Sequence, residues 1–176
     1  LGGMRANPVS SLFFEDCRVP EANLLGRSGD GIRIGLAALD TGRIGIAAQA
    51  LGIAQAAFDA SVRYAKERQQ FGKPIAAFQS IQNYLADMAT EIDAGRLLLY
   101  RACALKDAGK PFGPEAAKAK LFCSLLSTRT AGRAVQIHGG YGYSKEYDVE
   151  RYYRDAKVTE IYEGTSEVQR DRKSVV

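Results

Sequence analysis

The spacing of hydrophobic positions divides the chain into a short β-like start and a long helical remainder. Residues 8–26 carry β-forming side chains, among them Val9, Leu12 and Phe13, followed by a turn-rich exit, so they predict one or two strands. A strand without partners cannot satisfy its backbone or bury a face. The pattern therefore predicts that these strands complete a sheet formed by other residues, and that the sequence is truncated at its start.

From about residue 30 onward, apolar residues recur at steps of three and four, which is the period of an amphipathic helix. This spacing predicts helices over about residues 30–68, 79–108, 114–137 and 149–161. Thr165 is placed to cap a further helix, with Glu167 in its first turn. Because long helices joined by short connections form bundles, we expect a mainly α fold, an antiparallel four-helix bundle preceded by the last strands of a β domain.

Composition limits the classes of function. The chain has 176 residues, of which 46% are hydrophobic and 25% charged, as in globular proteins. No apolar run approaches the roughly 20 residues of a membrane span, and the first residues lack a secretory signal pattern. The net charge is +4 with the basic residues scattered singly, which argues against nucleic-acid binding. We expect a soluble intracellular protein of a bacterial cytoplasm or a mitochondrial matrix.

Metal and disulfide chemistry are disfavoured by the residues available. Cys17, Cys103 and Cys123 are odd in number and far apart, which argues against a disulfide framework and a zinc site. His138 is the only histidine, so a site with several histidine ligands is excluded. We therefore expect no bound metal, and we expect a carboxylate to carry any acid–base step.

Two stretches combine glycine with arginine. In DTGR, which the pattern predicts to interrupt the first helix, Gly42 would let a ligand approach and Arg43 would supply a fixed charge; an exposed polar turn is the alternative. In ERQQFGKPIAAFQ, Arg68 and Phe71 would hold a phosphate and cover a flat cofactor, with Gln79 opening the next helix. A capped loop explains the second stretch equally well.

Two further stretches combine glycine with tyrosine. QIHGGYGY lacks the glycine spacing of a Rossmann fingerprint, so its glycines either cap a helix or let backbone approach a pyrophosphate. In EIYEGTSEVQR, Glu163 lies between Tyr162 and Gly164 just before a predicted helix. It is either a helix-entry carboxylate or a general base in a partly apolar pocket.

These stretches, in their order and spacing, resemble the C-terminal part of the acyl-CoA dehydrogenases, particularly the short-chain, butyryl-CoA type. The matching words, which cover residues 1–170, are FEDCRVP, LDTGRIGIAAQALGIAQAAFD, ERQQFGKPI, QIHGGYGY and YRDAKVTEIYEGTSEVQR. The resemblance implies that residues 1–28 end a middle β domain and residues 29–170 form a helical domain. The last six residues, DRKSVV, depart from the family, and we expect residues 171–176 to be a non-native tail.

The activity implied by the resemblance is oxidation of an acyl-CoA to the trans-2-enoyl-CoA with FAD as cofactor and Glu163 as catalytic base. The implied substrate contacts are Asp40, Thr41, Gly42, Arg43 and Gly164. The implied FAD contacts are Arg68, Phe71, Gln79, Gln136, Ile137, His138, Gly139, Gly140, Thr165, Ser166 and Glu167. Several of these contacts are expected to reach the cofactor of a partner subunit.

The resemblance also implies partners and leaves alternatives. The expected partners are the acyl-CoA substrate, further copies of the chain in a homotetramer built as a dimer of dimers, and an electron-transferring flavoprotein as acceptor. An acyl-CoA oxidase or a dehydrogenase for another chain length is an alternative on the same architecture. A non-catalytic helical module that binds CoA or a partner is an alternative of another class, although a pure scaffold has no need of Glu163.

Overall fold

The computed structural model describes residues 2–174, and the side chains of residues 2–171. Its five α-helices are α1 (Gly31–Glu67), α2 (Gln79–Asp107), α3 (Gly113–His138), α4 (Val149–Val158) and α5 (Ser166–Ser174). Short 3-10 turns occur at Glu21–Asn23, Ile75–Ala77 and Gly139–Tyr143. The predicted helices are confirmed, and the largest difference is at the end of α4, which was expected near residue 161.

Successive long helices run in opposite directions, as the bundle prediction requires. Between α1 and α2, Arg96 donates to the Gln55 side chain at 2.7 Å. Between α2 and α3, Arg129 donates to Glu91 at 3.0 Å and Arg133 to Asp87 at 3.3 Å, so residue numbers rise along one helix as they fall along the other. The up-down-up arrangement makes α1 and α3 parallel neighbours.

Small side chains let these parallel helices approach closely. The core between α1, α2 and α3 combines fully buried alanines with a smaller number of larger apolar side chains. Its buried members are Ala47, Ala50, Leu51, Ala54, Ile92, Leu99, Ala102, Ala119, Cys123 and Leu126. Burial raises the pKa of the Cys123 thiol to about 12, so this cysteine is an inert core side chain.

Aromatic side chains join the carboxyl ends of α1 and α3. The ring of Tyr64 stacks on His138 with centroids 4.1 Å apart, and Tyr147 packs edge-on against both rings. Nδ1 of His138 donates to the Ala134 carbonyl at 2.8 Å. Burial lowers the pKa of His138 below its ordinary value of 6.5, which favours the neutral ring.

The strand predicted within residues 8–26 is not formed. These residues are irregular apart from the 3-10 turn, and Val9, Leu12 and Phe13 are more than three-quarters exposed. A strand needs a neighbour for its backbone hydrogen bonds, and residues 2–174 offer none beside this segment. The start of the chain is instead attached to α4, where the Met4 amide donates to Asp155 at 2.6 Å.

The connection between α1 and α2 is a hairpin, where a capped loop was one of the two alternatives. Strands β1 (Gln69–Gln70) and β2 (Lys73–Pro74) pair antiparallel. Phe71 and Gly72 form the two-residue turn between them and both have positive φ, 53° and 79°. Two consecutive residues with positive φ are typical of the type I′ turns that match strand twist.

The predicted interruption of the first helix is wrong. Residues 40–43 do not interrupt α1, because one glycine costs a helix only about 1 kcal/mol, which tertiary packing overrides. The helix that Thr165 was expected to cap is α5, which extends over nine residues to Ser174. Residues 175 and 176 lie outside the described residues, and the proposed non-native origin of residues 171–176 stays a prediction.

Gly95 tests the packing of the three-helix core. A Cβ atom at this position would lie 3.2 Å from Leu126, 3.3 Å from Cys123 and 3.4 Å from Leu51. We expect Gly95→Leu to lower the free energy of unfolding by about 1–3 kcal/mol through overpacking, measured by urea denaturation. Gly52→Leu is the matched control, because this exposed glycine of α1 has no atom near its Cβ position. Equal stability of the two variants would contradict the packing described.

Because His138 is buried, the stability of the fold is expected to depend on pH. Because its pKa is lower in the folded chain, the unfolded chain binds the proton more tightly, and stability is lost as pH falls below about 6.5. We expect this loss in the wild-type chain between about pH 7.5 and pH 5 in urea denaturation, and a smaller loss in His138→Gln. No second histidine complicates the comparison. Parallel pH profiles for the two proteins would contradict the burial of the neutral ring.

Candidate functional site

The turn between α4 and α5 presents Glu163. Glu163 and Gly164 both have positive φ, 55° and 89°, so two successive residues adopt left-handed backbone. This conformation is easy for glycine and unfavourable for glutamate, which therefore must be held by its surroundings. The Ser166 amide closes the turn by donating to the Glu160 carbonyl at 3.0 Å.

Two fully buried side chains hold this turn from below. Nζ of Lys120, on α3, donates to the Gly164 carbonyl at 2.6 Å. Nε2 of Gln169, on α5, donates to the carbonyls of Glu163 at 3.1 Å and Gly164 at 3.0 Å. Burial, only partly offset by Glu160, lowers the pKa of Lys120 to about 8.

The carboxylate of Glu163 lies against the backbone of α1. Its Oε2 atom is buried and has no hydrogen-bond partner among the described residues. A Cβ added at Gly42 would lie 2.6 Å from that oxygen, so only glycine leaves room for it here. Beside it, the Tyr162 hydroxyl donates to Gln49, and burial raises the pKa of Tyr162.

The predicted substrate residues gather around this carboxylate. Asp40 forms an ion pair with Arg43 one helical turn away, and the Arg43 side chain is buried. Asp40 also lies beneath the start of α3, 3.4 Å from the Cβ position of Gly113. Thr41 is exposed. The structure thus brings Asp40, Gly42 and Arg43 together with Glu163 and Gly164.

A second group of predicted residues lines a cavity at the other end of α1. This cavity has a volume of about 490 Å³. It is lined by Arg68, Ile137, His138, Gly139 and Gly140, together with Tyr64, Gln70, Ile75 and Tyr141. The Arg68 guanidinium lies 5.3 Å from the centroid of the Tyr141 ring. The cavity therefore combines aromatic faces, one fixed positive charge and bare glycine backbone.

Three predicted cofactor residues lie outside the lining of this cavity. Phe71 is 92% exposed at the tip of the hairpin, and its ring meets Phe78 edge-on. Gln79, at the start of α2, and Gln136, near the end of α3, are exposed. All three side chains are accessible to a molecule outside this chain.

The remaining predicted cofactor residues begin α5, directly after the Glu163 turn. Thr165 takes the predicted capping position, where its hydroxyl accepts from the Val168 amide at 3.5 Å. The Ser166 hydroxyl is buried without a hydrogen-bond partner in the described part of the chain. Glu167 is exposed and pairs with Arg170. This helix start offers an unsatisfied hydroxyl group, that of Ser166, to a ligand.

The two groups of residues are far apart. Arg43 lies on α1 and Arg68 directly follows the end of that helix, 25 residues further along the chain (68 − 43 = 25). Since an α-helix rises about 1.5 Å per residue, roughly 37 Å separate them. The structure therefore gathers the candidate residues in two separate places, one around Glu163 and the start of α5, the other at the Arg68–His138 cavity.

Sequence reasoning missed Lys120, Gln169 and Tyr64. Lys120 carried a usable signal, because it lies on the same helical face as the buried residues Ala116, Cys123 and Ser127. A lysine on an apolar face is costly unless it serves a partner. Gln169 and Tyr64 carried no comparable signal, since their roles depend on elements that meet only in the folded chain.

The described residues offer neither a metal site nor a membrane-spanning helix. Within residues 2–174, no group of three or more histidine, cysteine or acidic side chains is arranged to hold a metal ion. Over the same residues, the helices lack the combination of length and apolar character needed to cross a bilayer. Cys17, Cys103 and Cys123 are not joined by disulfide bonds.

Comparison with known proteins identifies the family. Residues 29–173 match the sequence model of a protein family described as "Acyl-CoA dehydrogenase, C-terminal domain". An acryloyl-CoA reductase (NADH) of Anaerotignum propionicum is 56% identical over 168 residues, 96% of this chain and 43% of the relative. The mitochondrial short-chain specific acyl-CoA dehydrogenase of Rattus norvegicus is 55% identical over 168 residues, 96% of this chain and 41% of the relative.

A solved structure agrees with these relatives. Butyryl-CoA dehydrogenase of Megasphaera elsdenii shares the fold with a TM-score of 0.90 at 54% identity, over 91% of this chain and 42% of that protein. The chain spans about two fifths of the length of each of these relatives. The sequence match and the shared fold show that this chain belongs to the acyl-CoA dehydrogenase family, with residues 29–173 matching its C-terminal domain.

Proposed function

We propose that the protein oxidises a short, straight-chain acyl-CoA to the trans-2-enoyl-CoA with FAD as cofactor, and that Glu163 is the catalytic base. One observation carries the proposal: the buried Oε2 of Glu163 lacks a hydrogen-bond partner within the described residues and faces bare backbone at Gly42. Buried carboxylate oxygens are normally hydrogen-bonded. An oxygen left unsatisfied is available to a substrate.

The residues of this chain divide the work as follows. Glu163 accepts the proton that leaves the α carbon as the double bond forms between the α and β carbons. Gly42 leaves space for the carboxylate, and Arg43 places a buried positive charge in the same cluster. Bound FAD would supply the acceptor for the hydride that leaves the β carbon. The buried position of Oε2 keeps water away from the base.

The chain offers groups that fit a flavin dinucleotide. The unsatisfied Ser166 hydroxyl and the start of α5 suit a pyrophosphate close to Glu163. The open space at Gly139 and Gly140, with Arg68 and aromatic rings beside it, suits a nucleotide at the other end of α1. Thr165 and Glu167 would contact the first cofactor; Phe71, Gln79, Gln136, Ile137 and His138 would contact the second.

The separation of these places supports an oligomer. Because roughly 37 Å of α1 lies between Arg43 and Arg68, we assign the start of α5 to the flavin of the same subunit and the Arg68–His138 cavity to that of a partner. This assignment agrees with the expected homotetramer, a dimer of dimers. An electron-transferring flavoprotein would then take up the electrons.

A second candidate is the reverse reaction. The relative from Anaerotignum propionicum, 56% identical, is named for the reduction of acryloyl-CoA. By microscopic reversibility, the same Glu163 would return a proton to the α carbon. An oxidase or a dehydrogenase for another chain length would use the same residues. A purely scaffolding module fits less well, because it gives no reason to hold Glu163 in left-handed backbone with an unsatisfied oxygen.

Glu163→Gln tests the base. The experiment uses a chimera that carries this chain in place of the matching segment of the Megasphaera elsdenii butyryl-CoA dehydrogenase, called the chimera below. We expect the substitution to lower butyryl-CoA turnover with a dye acceptor by at least about 10²-fold, because glutamine keeps the size of the side chain but cannot accept the proton. FAD absorbance and spectral titration with acyl-CoA should stay close to those of the unaltered chimera.

The control for this substitution is Glu146→Gln, which removes an exposed carboxylate and should leave turnover unchanged. A Glu163→Gln chimera that keeps more than about a tenth of the unaltered turnover would show that the base lies elsewhere.

Gly42→Ala tests the contact between α1 and the base. The new methyl group would lie 2.6 Å from Oε2 of Glu163, the end of a flexible side chain, so we expect the carboxylate to move and the fold to remain. Turnover in the chimera should fall about tenfold or more, because small displacements of a base are costly. The melting temperature should not fall, since alanine stabilises a helix relative to glycine by up to about 1 kcal/mol.

Gly45→Ala is the matched control, one turn along α1 with no atom near its Cβ position. If the two alanine variants turn over butyryl-CoA equally fast, then the Gly42 contact does not set the position of the base.

A further inference from the structure

Lys120 is an unusual residue for the interior of a helical bundle. Its side chain is fully buried on α3, and its recorded hydrogen bond goes to a backbone carbonyl, that of Gly164, at 2.6 Å. Burying an ammonium group is unfavourable unless charge and hydrogen bonds compensate. The carbonyl that accepts this hydrogen bond belongs to the residue that directly follows Glu163.

The backbone at this place needs support. Left-handed φ at a glutamate persists only where the surroundings over-determine it. Lys120 and Gln169 together supply three donated hydrogen bonds to the carbonyls of Glu163 and Gly164. Both side chains are buried on helices, so the support is rigid. The direction in which Glu163 leaves the backbone therefore depends on these two side chains.

We propose that Lys120 is a positioning residue for the base: together with Gln169 it clamps the carbonyl groups of Glu163 and Gly164 and so fixes the turn that carries the Glu163 side chain. The inference rests on the proposed function only in taking Glu163 as the base. The clamp itself is a feature of the folded chain.

The charges around Lys120 are compatible with this role. Glu160, Glu163 and Glu167 each favour its charged form, and Arg43 opposes it. Glu160 is already engaged, accepting from Thr128 and from Lys157. With its pKa lowered to about 8, Lys120 remains mostly protonated at neutral pH.

A structural role alone makes a different prediction. Replacing a buried charged group with an apolar side chain of similar volume is often neutral or stabilising. Methionine has nearly the length of lysine but neither charge nor donor. If Lys120 positions Glu163, the Lys120→Met variant should keep its stability but lose turnover. If Lys120 only fills space or supports the fold, turnover should fall only to the extent that stability falls.

The first measurement uses the full 176-residue chain and needs no activity. Amide hydrogen exchange is compared in the wild-type chain, Lys120→Met and the control Lys118→Met, a half-exposed lysine two residues away on α3 that pairs with Glu115. The Ser166 amide, which closes the turn on Glu160, reports the clamp. We expect its exchange to become at least about tenfold faster in Lys120→Met alone, because local opening controls exchange. Unchanged exchange would overturn the proposal.

The second measurement uses the chimera. We expect Lys120→Met to lower kcat for butyryl-CoA by about ten- to a hundredfold, with KM, FAD content and melting temperature nearly unchanged, because displacing a catalytic group by about 1 Å is costly. Lys118→Met should match the unaltered chimera.

The outcomes separate the two proposals. An unaltered chimera that binds FAD but does not turn over butyryl-CoA would count against the proposed function, while hydrogen exchange would still decide on the clamp. Loss of kcat in proportion to lost stability or FAD would make Lys120 structural and overturn its positioning role. Full kcat in Lys120→Met would overturn it as well.

Discussion

The close parallel contact between α1 and α3 determines where the candidate site residues lie. The contact depends on small side chains, since Ala47, Ala50 and Ala54 of α1 and Ala119 of α3 are completely buried. Larger residues here would move the helices apart, because interiors are packed to nearly crystalline density. At one end of the contact Asp40 lies beneath Gly113, and at the other Tyr64 stacks on His138. Each end carries one of the two groups of candidate residues.

The Glu163 turn depends on the same contact. It lies where α4 returns along α3, so that Lys120 reaches it from α3 and Gly42 faces it from α1. The turn itself is destabilising, because left-handed backbone at Glu163 and the buried ammonium group of Lys120 both cost free energy. Alanine-rich packing along three long helices supplies the stability that tolerates them. A strained, polar turn on a well-packed support is what a precisely placed base requires.

Under the proposed function, the two groups of candidate residues at opposite ends of α1 have a consequence. A subunit with two separated flavin-contacting places would complete its neighbour's site while its own is completed in return, as symmetric assemblies allow. Exposed side chains such as Phe71 and Gln79 then have a reason to face outward. Under the proposed function, association and catalysis would depend on the same helices.

The sequence by itself determined the helices, their approximate ends and the candidate residues, because period, capping residues and glycine–proline breaks are local signals. The position of Glu163 before a helix was readable in the same way. Residues 8–26 form no strand within the described residues, because β-forming side chains need a neighbouring strand. The sequence misjudged the helix through Gly42, where packing outweighs one glycine. Only the tertiary structure brought Lys120, Gln169 and Gly42 to the Glu163 turn. These contacts join residues more than forty positions apart or depend on left-handed backbone, and neither property leaves a periodic signal in the chain.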